Sequence, residues 1–163
     1  MRENASRLLL AAALSAVAGV AYAADEPSAT GYWVTANHGA VVNVTPCDGG
    51  GLCGRLVGLR TDHKPGDVPR DVHNPDKAKQ NTPSCGLLMM GDLKPVKGSA
   101  TKWEGGWVYD PESGSTYRAE MRLDGPNRLK LRGYLGISLF GETQEWTREI
   151  GENKNRCTPP VGG

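Results

Sequence analysis

The sequence predicts an all-β fold, an antiparallel meander of roughly eight short strands closed into a barrel. Three observations carry this. Two turn signals, Asp110-Pro111-Glu112-Ser113-Gly114 and Asp124-Gly125-Pro126-Asn127, cut the stretch from Trp103 to Trp146 into runs of strand length. Inside those runs Tyr117, Ala119, Met121 and Leu123 alternate with Arg118, Glu120 and Arg122, and Leu129, Leu131 and Gly133 alternate with Arg128, Lys130 and Arg132. A period of two gives each strand one buried and one wet face. Finally, 22 Gly and 11 Pro suit many turns and few helices. Consecutive strands in hairpin order hide their edges by curling into a barrel, whose interior either packs shut or holds one small ligand.

The chain opens with Arg2 and Arg7, an apolar run from Leu8 to Val20, and Ala21-Tyr22-Ala23. A charged start, a short apolar core and an A-x-A site predict a secretory signal peptide over 1–23, cut after Ala23. The run is too short to span a bilayer, and no cysteine follows to carry a lipid. The expected location is the periplasm or the exterior. The remaining 140 residues are one domain's worth, with 17 basic and 17 acidic side chains. That balance argues against nucleic acid or an anionic membrane as the main partner, since both need a basic excess.

A short polar lead over 24–30 is expected to be disordered. Strands follow at Gly31–Ala36, Ala40–Thr45 and Leu52–Arg60, around an Asn37-His38-Gly39 turn and a loop from Pro46 to Gly51. From 61 to 84 the pattern stops in a polar insertion with four prolines, long enough to be functional or disordered. One turn of helix is expected after Asn74-Pro75. Cys85 to Met90 is a short apolar strand, Leu93 to Ser99 a turn-rich link, and the meander then runs to Arg148, giving a single domain over 31–148. The tail over 149–163 is polar.

Four cysteines in the exported part suggest disulfides. Cys47 and Cys53 flank a flexible Asp48-Gly49-Gly50-Gly51-Leu52 loop that lets their Cβ atoms meet, and a metal clip has no second pair nearby to support it. Cys85 and Cys157 are then left to each other, although four cysteines permit three pairings.

Candidates for chemistry are few. Trp103, Trp107 and Tyr109 share parity with Gly105, and with Tyr117, Met121 and Trp146 they are the expected interior. They make either an aromatic wall for a hydrophobic or amphipathic ligand or the filling of a small core. Asp62, His63, Asp67, Asp71, His73, Asn74 and Asp76 crowd the insertion, and Asp71, His73 and Asp76 are the metal candidates. Their spacing matches neither a calcium loop nor H-E-x-x-H, and a solvated loop explains them as well. No serine sits in G-x-S-x-G. A Cys85–His73 pair would be oxidised on export, and nothing marks a Glu104–Asp110 acid–base pair. The chain lacks a phosphate loop, a dinucleotide fingerprint and a haem-attachment motif, so no cofactor is expected and an enzyme is the weaker reading.

Gly31-x-Trp33 on the first strand, with Arg148 on the last, resembles the lipocalin-type arrangement, in which an N-terminal Trp closes one barrel end and an Arg lies across it. The order of motifs from Gly31 to Arg148 goes further. G-Y-W, C-D-G-G-G-L-C-G, D-V-H-N-P-D, C-G-L-L-M-M, W-E-G-G-W-V-Y-D-P-E-S-G-S-T-Y and R-G-Y-L-G-I-S-L-F-G-E-T-Q-E-W-T-R together resemble the bacterial exported family known as domain of unknown function 2147. The resemblance implies a periplasmic, lipocalin-like barrel and carries over no catalytic residue. Three functions fit: a binder of a small hydrophobic or amphipathic molecule or an envelope accessory factor; a packed barrel contacting an envelope partner through 61–84; or a metal-dependent enzyme or metal binder using Asp71, His73 and Asp76.

Overall fold

A computed structural model describes residues 28–59, 68–151 and 157; the signal segment, the expected cut after Ala23, and Asp62, His63 and Asp67 lie outside them. Eight antiparallel strands form a closed barrel in sequence order. They are β1 Gly31–Val34, β2 Ala40–Pro46, β3 Leu52–Leu59, β4 Leu88–Pro95, β5 Lys102–Asp110, β6 Ser115–Leu123, β7 Arg128–Tyr134 and β8 Glu142–Arg148. Consecutive strands pair throughout, β3 and β4 across the long insertion, and the barrel closes where β1 pairs with β8 through Trp33↔Arg148 and Val34↔Thr147.

The inner face reads in layers across β6, β7 and β8. Nearest the base, Leu123 stands beside Leu129 and Leu129 beside Trp146. Above them Trp103, Met121, Leu131 and Gln144 are cross-strand neighbours, then Gly106, Ala119, Gly133 and Glu142, and finally Val108 and Tyr117. From the other side Trp33, Val42, Val44, Met90 and Leu93 complete the core. The outward positions Arg118, Arg122 and Arg128 are exposed, so the period-two pattern of β6 and β7 is the barrel's inside and outside.

Several expectations are corrected. The fourth strand is Leu88–Pro95, not Cys85–Met90, and it absorbs the start of the expected link. Cys85 and Gly86 belong to a turn in which Leu87 N donates to Ser84 O (3.1 Å). The strand continues because Asp92 adopts φ 57°, a local kink that keeps Leu93 fully buried inside. The expected helical turn is a single turn of 3-10 helix, Lys77–Lys79, capped by Asp76 rather than Asn74. Its Oδ1 accepts from Ala78 N at 3.0 Å, while Asn74 Oδ1 instead accepts from Asp76 N at 2.9 Å. Residues 28–30 of the lead are part of the barrel floor, with Ala29 buried there.

The parity of β5 is the main correction. Trp103 pairs with Met121, but the next pair on β6 is Gly106 with Ala119, so three steps on β5 match two on β6. Gly105 sits in this bulge at φ +73°, a conformation that glycine adopts without steric cost. One extra residue exchanges inside for outside. Trp103 therefore faces the core, whereas Trp107 pairs with exposed Arg118 and Tyr109 with exposed Thr116, so both belong to the outer wall. Trp107 lies over Gly91 and donates from Nε1 to Asp92 Oδ2 at 3.1 Å.

Candidate functional site

In an up-and-down meander the connections alternate between two ends. One end of this barrel is a sealed base. Trp33 is fully buried and its Nε1 donates to Ala29 O at 2.8 Å. The Arg148 guanidinium lies 4.2 Å from the Trp33 ring centroid. It also donates to Pro126 O (2.6 Å), Thr30 O (2.9 Å) and Ser28 O (2.5 Å), tying the lead and the β6–β7 turn across the floor. Burial lowers the Arg148 pKa from its ordinary value. Gly31 is required beside it: its φ is +116°, and a Cβ there would stand 2.9 Å from an Arg148 nitrogen.

The other end is less buried among the described residues. Along the inner face, burial falls from Leu129 and Trp146 at the base to half-exposed Val108, Tyr117 and Gly133, and to exposed Gln144 and Glu142. The reason is the short seam: β1 ends at Val34, so β8 from Glu142 to Trp146 has no β1 residue opposite it. Gln144 Oε1 accepts from Trp146 Nε1 at 3.1 Å, which leaves the Gln144 amide N–H groups as donors. A Cβ at Gly133 would meet Val108 and Tyr117 at ordinary contact distances of 3.4 and 3.5 Å. Of the expected interior residues, Tyr117 lies at this less buried end, Trp103, Met121 and Trp146 lie deeper, and Trp107 and Tyr109 are outside. The alternation of β7 already put Gly133 inside, but Val108, Glu142 and Gln144 were missed by the sequence reading; their inward register is visible only once the bulge and the β7–β8 pairing are known.

The insertion packs on the outer wall. Asp71 is 1 % exposed. Its Oδ1 accepts from the Tyr109 hydroxyl and its Oδ2 from Asn74 Nδ2, both at 2.6 Å. Thr82 O accepts from Asp71 N at 2.9 Å. His73 Nδ1 lies 3.3 Å from Pro111 O. Its carbonyl presses on Gly114 so closely that a Cβ there would be 1.9 Å away. Asp76 caps the 3-10 turn and pairs with Lys79 at 3.5 Å. The three metal candidates thus serve three different structural partners, and no group of three His, Cys, Asp or Glu among the described residues could hold a metal ion. That corrects the metal reading for Asp71, His73 and Asp76. The nucleophile pair fails as well, because Cys85 is bonded to Cys157, and Cys47 to Cys53.

Tyr109 is an unexpected fixture of the wall. Burial first, and the Asp71 carboxylate second, push its pKa well above the ordinary value. The folded protein therefore holds the phenolic proton more tightly than the unfolded chain. The stability this confers is complete below the unfolded pKa of about 10 and is lost as pH rises through the folded one. Tyr109→Phe is expected to cost about 1–3 kcal/mol by leaving the Asp71 carboxylate short of a donor, and to release the insertion. Amide exchange at Asp71 and Asn74, compared at one fixed pH, checks this: it should accelerate in the variant.

The outer wall also limits what kind of barrel this is. Arg118, Glu120, Arg122, Lys130 and Arg132 face outward where a transmembrane barrel carries an apolar belt. No helix among the described residues is long and apolar enough to cross a membrane.

No curated protein matches the sequence. A solved structure, protein HP1028 from Helicobacter pylori, described as belonging to the lipocalin family, is similar with a TM-score of 0.66 and 20% identity, over 76% of this chain and 84% of that one. At that identity the likeness is one of fold. Residues 31–148, the whole barrel, match the family described as uncharacterized protein conserved in bacteria, domain of unknown function 2147, and the chain belongs to that family.

Proposed function

We propose that the barrel is an exported carrier or sensor of a small amphipathic molecule, taken into the mouth half of its lumen. The gradient of burial along the inner face supports this reading most directly. The base is packed with Trp33, Leu129 and Trp146, while Val108, Tyr117 and Gly133 are only partly buried. An apolar body would lie against Val108, Tyr117 and Leu131. Its polar end would meet the Gln144 amide donors and the Glu142 carboxylate at the seam, where solvent still reaches. The leader pattern and the two disulfides support export into an oxidising compartment.

Native mass spectrometry of the protein purified from the envelope of its own cells tests the reading. A small molecule is expected to travel with it, and Gly133→Leu, which fills the mouth without touching the base, is expected to remove that mass and keep the fold. A bare mass for the parent under gentle conditions, or an adduct that survives Gly133→Leu, would sink the proposal.

A further inference from the structure

The connection from β7 to β8 presents Leu135, Ile137, Leu139 and Phe140 at 69, 58, 77 and 79 % exposure. Four large apolar side chains in six residues form an unusual surface for a soluble domain. They are also held there. The Arg132 side chain donates to Ser138 O (2.8 Å), Leu139 O (3.2 Å) and Thr143 Oγ1 (2.7 Å). The Ser138 hydroxyl donates to Glu120 Oε1 at 2.6 Å. These bonds fold the loop's backbone against the outer wall of β6 and β7 and keep its apolar side chains in solvent. An unconstrained loop could instead turn those side chains inward.

The same wall carries a cationic row. Lys102, Arg122 and Lys130 are successive cross-strand neighbours on β5, β6 and β7. Lys130 is engaged by Asp124 at 2.9 Å and by Glu145 at 3.9 Å. Lys102 and Arg122 have no ion-pair partner among the described residues. With Arg132, Glu104 and Glu120 the row lines a groove of about 500 Å³ that also reaches Trp103 and Met121. The groove lining itself holds four cations against two carboxylates, a local excess that the balanced total charge conceals.

We infer that this wall docks on an anionic bilayer surface: the loop over 135–141 enters the headgroup region, and Lys102, Arg122 and Lys130 lie against the lipid phosphates. Two features favour a bilayer over a protein partner. The apolar side chains stand on a projecting loop, which a fluid apolar phase accepts and which a protein could meet only with a matching pocket. A second copy meeting this wall across a two-fold axis would bring the cationic row toward itself, a like-charge contact. The loop joins the strands that carry Gly133 and Glu142, so, on the reading proposed above, the barrel would deliver or collect its ligand beside the membrane.

Co-sedimentation with phosphatidylcholine vesicles, with and without phosphatidylglycerol, tests the inference on the protein in the form that accumulates on expression. The parent is expected to pellet with the anionic vesicles and to be released by salt. Leu139→Ser with Phe140→Ser should weaken binding about tenfold or more, and Lys102→Glu with Arg122→Glu by a similar factor. These side chains are largely exposed or without ion-pair partners, so unchanged melting would confirm folding. Phe140→Trp should show a blue-shifted emission on anionic vesicles. Equal pelleting with neutral vesicles, or undiminished binding by the serine variant, would overturn the inference. So would a concentration-dependent dimer that the serine variant disperses, because the apolar loop would then serve self-association. Gly133→Leu should bind vesicles as the parent does, so failure of the lumen reading and failure of this one are told apart.

Discussion

Trp33→Ala is expected to destabilise the protein by about 3–5 kcal/mol, the range for deleting a large aromatic side chain from a packed core. Trp33 is the plug of the base. It is fully buried, and its removal leaves a cavity in the core cluster beside its cross-strand partner Val42. It also strands the Ala29 carbonyl, which accepts its indole N–H, and deprives the Arg148 guanidinium of the ring it covers. Chemical denaturation should show a lower midpoint with an unchanged slope. Trp33→Phe separates the causes. It keeps much of the volume and an aromatic face for Arg148 but cannot donate to Ala29, and its cost should be about 1–3 kcal/mol. If the two variants cost the same, the hydrogen bond outweighs packing. A loss below about 1 kcal/mol for the alanine variant would contradict the sealed-base description altogether.

The second large effect concerns the long-range disulfide. Replacing both Cys85 and Cys157 by serine is expected to cost about 4 kcal/mol, against about 2 kcal/mol for the Cys47–Cys53 pair. The difference follows from loop length. The first bridge joins residues 72 apart and so restrains much of the unfolded chain, whereas the second spans only 6. The first also holds Cys157 where its N–H reaches Val57 O at 2.9 Å. That carbonyl is available because Val57 is an extra residue in β3, between Leu56 paired with Val42 and Gly58 paired with Val41. Thermal melts of the two double variants give the order directly. A larger drop for Cys47 and Cys53 would show that the short loop controls the β2–β3 hairpin more than chain entropy allows.

Most of the barrel is legible in the sequence. Where a strand keeps strict alternation, as from Tyr117 to Leu123 and from Arg128 to Gly133, the residues themselves state which face is inside. Turns with Asp-Pro, Asp-Gly and Gly-Pro state where strands end. Gly31, Trp33 and Arg148 announce the floor, since the guanidinium can cover the indole only if nothing larger than glycine stands beside it. Periodicity fails wherever one residue is added. Gly105 and Asp92 each hide a kink that looks like ordinary strand, and a single added residue moved Trp107 and Tyr109 to the outer wall. Polar composition misleads over the insertion in a similar way. Asp71 has the look of a solvated loop carboxylate, yet its partner Tyr109 lies 38 residues away and takes it out of water.

By itself, then, the sequence determined the strand count, the hairpin order, the base and the family, because these rest on local alternation, turn chemistry and words of sequence. Only the tertiary structure decided which aromatics face inward, where burial of the inner face falls off and why Leu139 and Phe140 stay in solvent. Those depend on register between strands, on a seam of two residue pairs between β1 and β8, and on an arginine that bonds a neighbouring loop's carbonyls. Each is a relation between residues distant along the chain or shifted by a single position, and such relations leave no period to read.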